Sequence, residues 1–126
     1  MRPGEISVQD HVEGDRHTVN LGGELDLATA PELVGAVYAL LAEGAREIVL
    51  DIGALTFINS TGIRSILSIR DLCELHECEF GVTLAQEPVQ RVFKIAGLED
   101  VLPFPASQNG AGQARCDGWG RLRLAN

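Results

Sequence analysis

The tetrapeptide Asn59-Ser60-Thr61-Gly62 is the part of the sequence whose residue types are best suited to chemistry. It follows an apolar, buried-looking run and precedes an amphipathic segment that begins at Ile63, so two hydroxyl groups stand where a helix is predicted to begin. The free N–H groups and positive dipole end of a helix N-terminus favour an anion such as phosphate. The tetrapeptide can therefore cap the helix, hold an anion or accept a phosphoryl group, and its spacing alone favours capping.

The helix predicted over residues 60–76 has an apolar face and a polar face. The apolar residues recur at helical spacing and are assigned to the core: Ile63, Ile66, Leu67, Ile69 and Cys73. The opposite side carries polar residues, namely Thr61, Arg64, Ser65 and Ser68, and it continues to Leu72 and Leu75. Such a face beside a presented hydroxyl is suited to docking a protein. Accidental exposure of the leucines, or their cover by C-terminal residues, is the alternative.

The elements around the tetrapeptide alternate between strand and helix. Strands are predicted over residues 6–12, 17–21, 47–52 and 80–85, and helices run from the N-cap Thr29 to Gly44, over 60–76, and from Pro88 to Gly97. A short apolar turn is predicted at 55–58, and residues 101–104 are predicted to be a last short strand or an apolar anchor. This order predicts an α/β domain with a small mixed β-sheet and helices packed mainly on one face.

The composition is that of an ordinary globular protein, with 45% hydrophobic and 22% charged residues among 126. This length predicts one domain. The formal net charge of −8 argues against nucleic acid and anionic membrane as partners and favours a protein with a basic docking surface. After Pro105 the sequence becomes rich in Gly, Ala and Gln, so residues 106–126 are predicted to be a flexible tail.

Residues for other kinds of chemistry are poorly placed. The 3 cysteines are not spaced as a disulfide framework or a C-x-x-C pair, which indicates a reducing, cytoplasmic setting. No apolar run approaches the roughly 20 residues that span a bilayer, and no signal-peptide pattern is found. The histidines lack metal-ligand spacing, and the G-x-S-x-G and P-loop motifs are absent. We therefore expect no metal site, no cofactor, no membrane insertion and no enzymatic activity.

Four segments carry a resemblance to a known family. They are Gly23-Glu24-Leu25-Asp26 with Thr29 and Pro31, then Leu50-Asp51-Ile52, then Phe57-Ile58-Asn59-Ser60-Thr61-Gly62-Ile63, and last Val92-Phe93-Lys94-Ile95-Ala96-Gly97-Leu98. Together they resemble the STAS domain of bacterial anti-sigma factor antagonists. The resemblance extends over roughly residues 6–104 and implies a single STAS domain within residues 1–105.

The resemblance implies a regulatory protein that is the substrate of a kinase. In the family, the serine that follows an aspartate in this turn is phosphorylated by the partner, an anti-sigma factor that is also a serine kinase and binds Mg-ATP itself. By position this acceptor is Ser60, and Thr61 is the second choice. The unphosphorylated form binds the anti-sigma factor and so releases a sigma factor. A phosphatase resets the phosphorylated form, and the protein is expected to be a monomer or weak dimer.

The resemblance also outlines a partner-binding surface around the turn. Its expected members are Asp26, Asn59, Ser60, Thr61, Gly62, Arg64 and Ser68. Asp26 is expected to neighbour the Ser60 turn and to contact the partner at the rim. A solvated loop carboxylate that binds local backbone amides is the alternative for this residue.

Asn59 departs from the family pattern, which has an aspartate at this position. An asparagine keeps the capping ability and the shape but removes a charge beside the acceptor. A second function therefore stays open, in which the chain is a STAS subunit of a lipid-transport ATPase complex or of a stress-signalling assembly. In that role the same surface docks a partner without phosphorylation.

Overall fold

A computed structural model describes residues 5–105, and the predicted tail at 106–126 lies outside the described residues. The elements follow in the order β1 (Ile6–Glu13), β2 (Arg16–Leu25), α1 (Ala30–Ala42), β3 (Glu47–Ile58), α2 (Ser60–Leu75), β4 (Glu79–Val82) and α3 (Glu87–Ile95). The predicted alternation of strands and helices is confirmed. The residues at 101–104 form no strand. They are instead an apolar anchor. Leu102 is buried, and the ring of Phe104 packs edge-on against the ring of Phe93, with 5.1 Å between the ring centroids.

The four strands form one mixed sheet in the order β1-β2-β3-β4. β1 and β2 are an antiparallel hairpin that turns at Gly14, whose φ of 62° suits glycine. β3 runs parallel to β2 and to β4, and the helices α1 and α2 make the crossovers. Parallel pairing brings the carboxyl ends of β2 and β3 together, with Leu25 opposite Ile58. The loop after β2 and the turn after β3 therefore lie side by side.

One face of the sheet and all three helices share a single apolar core. The helices contribute buried side chains that include Leu33 and Val37 of α1, Ile66 and Ile69 of α2, and Val89 and Phe93 of α3. They pack on alternate residues of the strands, such as Val19, Leu21, Ile48 and Leu50. Val49 is buried but lies outside this cluster, because alternation along the strand places it on the opposite face. The predicted α/β fold with helices mainly on one face is confirmed.

The predicted ends of three strands were wrong. β3 was predicted to end at Ile52, before a turn, but it continues to Ile58. β2 continues to Leu25 rather than ending at Leu21. The pairing of the two strands shifts register on either side of Gly22 and Gly23. These irregularities interrupt the alternation of buried and exposed residues, so the apolar side chains of Leu55 and Ile58 fall three residues apart and imitate a turn. β4 is shorter than predicted and ends at Val82.

Candidate functional site

Asn59, rather than Ser60, is the residue of the tetrapeptide that caps α2 in the structure. Its backbone is extended, and its side-chain Oδ1 accepts the N–H of Gly62 at 3.0 Å. Its own carbonyl accepts the N–H of Ile63 at 2.9 Å, which is the first bond of the helix. A cap of this kind typically contributes about 1 kcal/mol to stability. The neutral amide therefore does the capping that the expected aspartate would do, without its charge.

Ser60 is the first residue of α2, and its side chain is exposed. Its hydroxyl has no hydrogen-bond partner among residues 5–105. The next residue, Thr61, is half-buried, and its hydroxyl is likewise unpaired in the described part of the chain. Because the Asn59 side chain already caps the helix, neither hydroxyl is needed to stabilise the turn.

Gly62 differs from the other predicted contact residues because it is buried. A Cβ at this position would lie 2.5 Å from the carbonyl oxygen of Leu25 and 2.8 Å from Cγ1 of Ile58. Real Cβ atoms do not approach other atoms so closely, so only glycine lets the start of α2 pack against the ends of β2 and β3. Gly62 therefore offers no side chain to a partner and instead fixes the position of the turn.

Ser65 was predicted on the polar face, and this prediction is wrong. Its side chain is only 7% exposed, and its hydroxyl donates to the carbonyl of Gly62 at 2.6 Å. A small residue that satisfies its own hydroxyl locally can be buried at little cost. On this side of α2, Ser60, Arg64 and Ser68 are exposed and Thr61 is half-buried, and we term these four residues the docking face.

Asp26 lies in the loop after β2, beside the turn that carries Ser60. The two segments are joined by a hydrogen bond from the N–H of Asn59 to the carbonyl of Leu25, at 3.4 Å. The carboxylate Oδ1 of Asp26 accepts the N–H groups of Ala28 and Thr29 at 3.0 and 3.1 Å. Asp26 is therefore a neighbour of the turn, as predicted, and it also binds local amides, which was the stated alternative. Its contact with a partner stays a prediction.

Comparison with known proteins supplies the family. A model of the STAS domain matches residues 6–111. The chain belongs to the STAS domain family. This STAS domain is 24% identical to the anti-sigma-B factor antagonist of Staphylococcus aureus over 97 aligned residues. The alignment covers 77% of this chain and 90% of that protein.

Solved structures agree with this assignment. An anti-sigma factor antagonist from Mycobacterium paratuberculosis superposes with a TM-score of 0.73 at 26% identity, over 86% of this chain and 92% of that one. The anti-sigma factor antagonist SpoIIAA in its unphosphorylated form gives a TM-score of 0.67 at 19% identity, over 86% and 96%. The phosphorylated form of SpoIIAA, from Bacillus, gives a TM-score of 0.61 at 19% identity, over 86% of this chain and 100% of that one. At 19% identity the two SpoIIAA structures support the fold alone.

Two exposed apolar residues near the turn that carries Ser60 were not predicted from the sequence. Leu27 is 74% exposed in the loop after β2, and Phe57 is 44% exposed beside Glu24 near the end of β3. Both residues lie at the end of the sheet that carries Ser60, where a partner could bury their exposed apolar area. The signal for Phe57 was present in the sequence: if β3 reaches Ile58 and buries it, alternation exposes Phe57.

The histidines lie away from Ser60 in the STAS domain. His11 and His17 belong to the β1–β2 hairpin at the far end of β2, and His76 follows the last turn of α2. Within residues 5–105 no cluster of three or more potential metal ligands is found, and no helix is long and apolar enough to cross a membrane. Within the described range, the Ser60 hydroxyl is not hydrogen-bonded to any side chain that could serve as a general base.

The thiols of Cys73 and Cys78 are buried at the end of α2 opposite to Ser60. A hydrogen bond to Cys78, and then burial, raise the pKa of the Cys73 thiol far above its ordinary value. The same hydrogen bond lowers the pKa of Cys78. A protonated thiol in an apolar core is a poor nucleophile, so the role of Cys73 is packing, as predicted.

Proposed function

We propose that this STAS domain is an anti-sigma factor antagonist whose binding is switched at Ser60. In its unphosphorylated form it binds an anti-sigma factor in the cytoplasm and so releases a sigma factor. That anti-sigma factor is also a serine kinase and binds Mg-ATP. Phosphorylation of Ser60 ends the binding, and a phosphatase restores it. The relatives from Staphylococcus aureus and Mycobacterium paratuberculosis carry the name of anti-sigma factor antagonists, and SpoIIAA has been solved in a phosphorylated form.

The observation that carries the proposal is the state of the Ser60 hydroxyl. It is exposed at the first residue of α2 and has no partner in the described chain, while Asn59 holds the helix cap. Transfer moves the γ-phosphoryl group of ATP to Oγ of Ser60, releases ADP, and passes the hydroxyl proton to a base of the kinase. The domain loses no hydrogen bond in this step. Thr61 is half-buried and is the second choice.

The expected effect of the phosphate falls on the interface rather than on the fold. It adds about −1.5 to −2 charges and strongly hydrated oxygens at a helix N-terminus, where negative charge is tolerated. Burying that group against a partner costs desolvation free energy, and the Asp26 carboxylate lies in the adjacent loop. A loss of about 3 kcal/mol would weaken binding at least a hundredfold, which is sufficient for a switch.

The surroundings of Ser60 supply a surface of suitable character. The docking face is polar, and Leu27 and Phe57 add exposed apolar area at the same end of the sheet. Interfaces commonly combine buried apolar anchors with a polar rim. We therefore propose that Leu27 and Phe57 anchor the anti-sigma factor, with Arg64, Ser68 and Asp26 at the rim.

The test is incubation with the cognate anti-sigma factor kinase and Mg-ATP, followed by mapping of the phosphate by mass spectrometry. We expect phosphate on Ser60 and its loss in Ser60→Ala, whereas Ser68→Ala, which removes a rim serine of α2, should still carry its phosphate on Ser60. Labelling of Ser60→Ala at the wild-type level would refute the acceptor assignment. A chain that binds a transport ATPase or a stress-signalling assembly without being phosphorylated would support the alternative role.

A further inference from the structure

Arg64 stands one helical turn after Ser60 on the docking face. Its side chain is exposed and has no hydrogen-bond or ion-pair partner within residues 5–105. Two other arginines are engaged: the half-buried Arg70 contacts Asp71 at 3.3 Å, and the exposed Arg91 contacts Glu87 at 3.6 Å. The exposed Arg46 precedes β3 and lies at the opposite end of the sheet from Ser60. Arg64 is therefore a guanidinium without an internal carboxylate, placed where a phosphate on Ser60 would be its nearest anion on the helix.

The geometry of an α-helix brings residues i and i+4 together on one face, with Cβ atoms about 5–6 Å apart. An acidic group four residues before a basic group is the more favourable orientation, because each charge then complements the helix dipole. A phosphate supplies three acceptor oxygens, and a guanidinium supplies a planar fork of donors that matches them. Phosphorylated Ser60 and Arg64 satisfy both conditions.

Neighbouring elements at this end of the domain carry acidic groups. They include Glu5 before β1, Glu24 at the end of β2, Asp26 in the following loop and Glu32 in the first turn of α1. Asn59 is neutral, and its amide oxygen is occupied by the N–H of Gly62. A phosphate on Ser60 therefore meets repulsion from neighbouring elements, and Arg64 is the positive side chain on its own helical turn.

We propose that Arg64 pairs with the phosphate on Ser60 and is thereby withdrawn from the docking face. In the unphosphorylated domain the guanidinium is available to a carboxylate of the partner. In the phosphorylated domain it is held internally, so the modification adds a repulsive group and also removes an attractive one. This regulation rests on the proposed function, because it requires a phosphate on Ser60.

Pairing can be measured without a kinase or a partner. Phosphoserine is installed at position 60 by genetic code expansion, and the second pKa of the phosphate is followed by ³¹P NMR in wild type, Arg64→Gln and Arg91→Gln. Loss of a pairing cation disfavours the dianion, so we expect Arg64→Gln to raise this pKa by about 0.3 unit at low ionic strength. The difference should shrink in high salt. Arg91→Gln removes the same charge from α3 and should leave the pKa at the wild-type value. Equal pKa values in the two variants would overturn the pairing.

Withdrawal from the docking face is measured by binding to the anti-sigma factor kinase. Four proteins are compared: wild type and Arg64→Gln, each with serine or phosphoserine at position 60. We expect Arg64→Gln to weaken the unphosphorylated complex by about two- to fivefold and to reduce the loss caused by phosphorylation by a similar factor. An undiminished loss would overturn the withdrawal. Failure of a kinase to label Ser60 would instead refute the proposed function, because here the phosphoserine is already installed.

Discussion

Thr29 and Ser60 are two hydroxyl residues at the starts of neighbouring helices, and the structure uses them in opposite ways. Thr29 precedes α1 and is 6% exposed. Its hydroxyl donates to the carbonyl of Glu24 at 2.7 Å and accepts the N–H of Asp26 at 2.9 Å, but it does not cap α1. Ser60 begins α2, is exposed and has no such bonds in the described chain. Residue type and position are therefore similar, and the hydrogen bonds decide which hydroxyl is structural and which is free to react.

The position of the free hydroxyl depends on close packing at Gly62, and breaking that packing should have the largest effect. We expect Gly62→Ala to lower the free energy of unfolding by about 3 kcal/mol, because the added Cβ would overlap the Leu25 carbonyl. Chemical denaturation followed by circular dichroism measures it. Gly35→Ala is the matched control: Gly35 lies in α1 with no atom near its missing Cβ, so the variant should gain up to about 1 kcal/mol. Equal stability of the two variants would contradict the packing role of Gly62.

The two hydroxyls themselves can be compared by removing each. Thr29→Val keeps the shape but leaves a backbone carbonyl and a backbone N–H without their partner, so we expect a loss of about 2 kcal/mol in unfolding free energy. Ser60→Ala removes no internal hydrogen bond and should change stability by less than about 0.5 kcal/mol. Both values come from the same denaturation experiment. Greater destabilisation by Ser60→Ala than by Thr29→Val would contradict the structural role of the Thr29 hydroxyl.

The apolar residues beside the free hydroxyl should matter more for binding than for folding. We expect Leu27→Ala and Phe57→Ala each to weaken the complex with the anti-sigma factor by about tenfold, because exposed anchors become buried on binding. Isothermal titration calorimetry measures this. The unfolding curve of Leu27→Ala should stay near that of wild type, and Phe57→Ala should lose about 1 kcal/mol because its side chain is more than half buried. Leu75→Ala is the control, since Leu75 is 75% exposed at the other end of α2. Equal weakening by all three would argue against a localised site.

The smallest effect is expected at the cap itself. Asn59→Ala removes the bond to the N–H of Gly62 and should lower stability by about 1 kcal/mol. Asn59→Asp keeps the bond and adds a negative charge at the helix N-terminus, so its stability should equal or slightly exceed that of wild type. Thermal unfolding at low ionic strength separates the two variants. Destabilisation by Asn59→Asp would show that more than capping is required of this side chain.

Much of the fold and part of the site could be predicted from the sequence. Periodicity and capping residues gave the order of elements and the start of α2 at Ser60, because these features depend on residues close in the chain. The extension of β3 was missed because it depends on bulged pairing with β2, a contact between distant segments. Ser65 was misplaced because α2 packs against α1 as well as against the sheet, so its buried surface is wider than its apolar stripe. The sequence could not predict that the Ser60 hydroxyl and the Arg64 guanidinium have no partners in the described chain, because possible partners are brought near them only by the tertiary structure.

The parallel pairing of β2 with β3 also determines at what stage of folding the site around Ser60 forms. The hydroxyl of Thr56 donates to the carbonyl of Gly23, which lies 33 residues away in the chain. Contacts of this kind form late in folding, because a long loop must close before they are made. The loop that carries Leu27 and the strand end that carries Phe57 therefore become neighbours only in the completed domain. A kinase that recognises them alongside Ser60 would act on folded molecules and ignore nascent or misfolded ones.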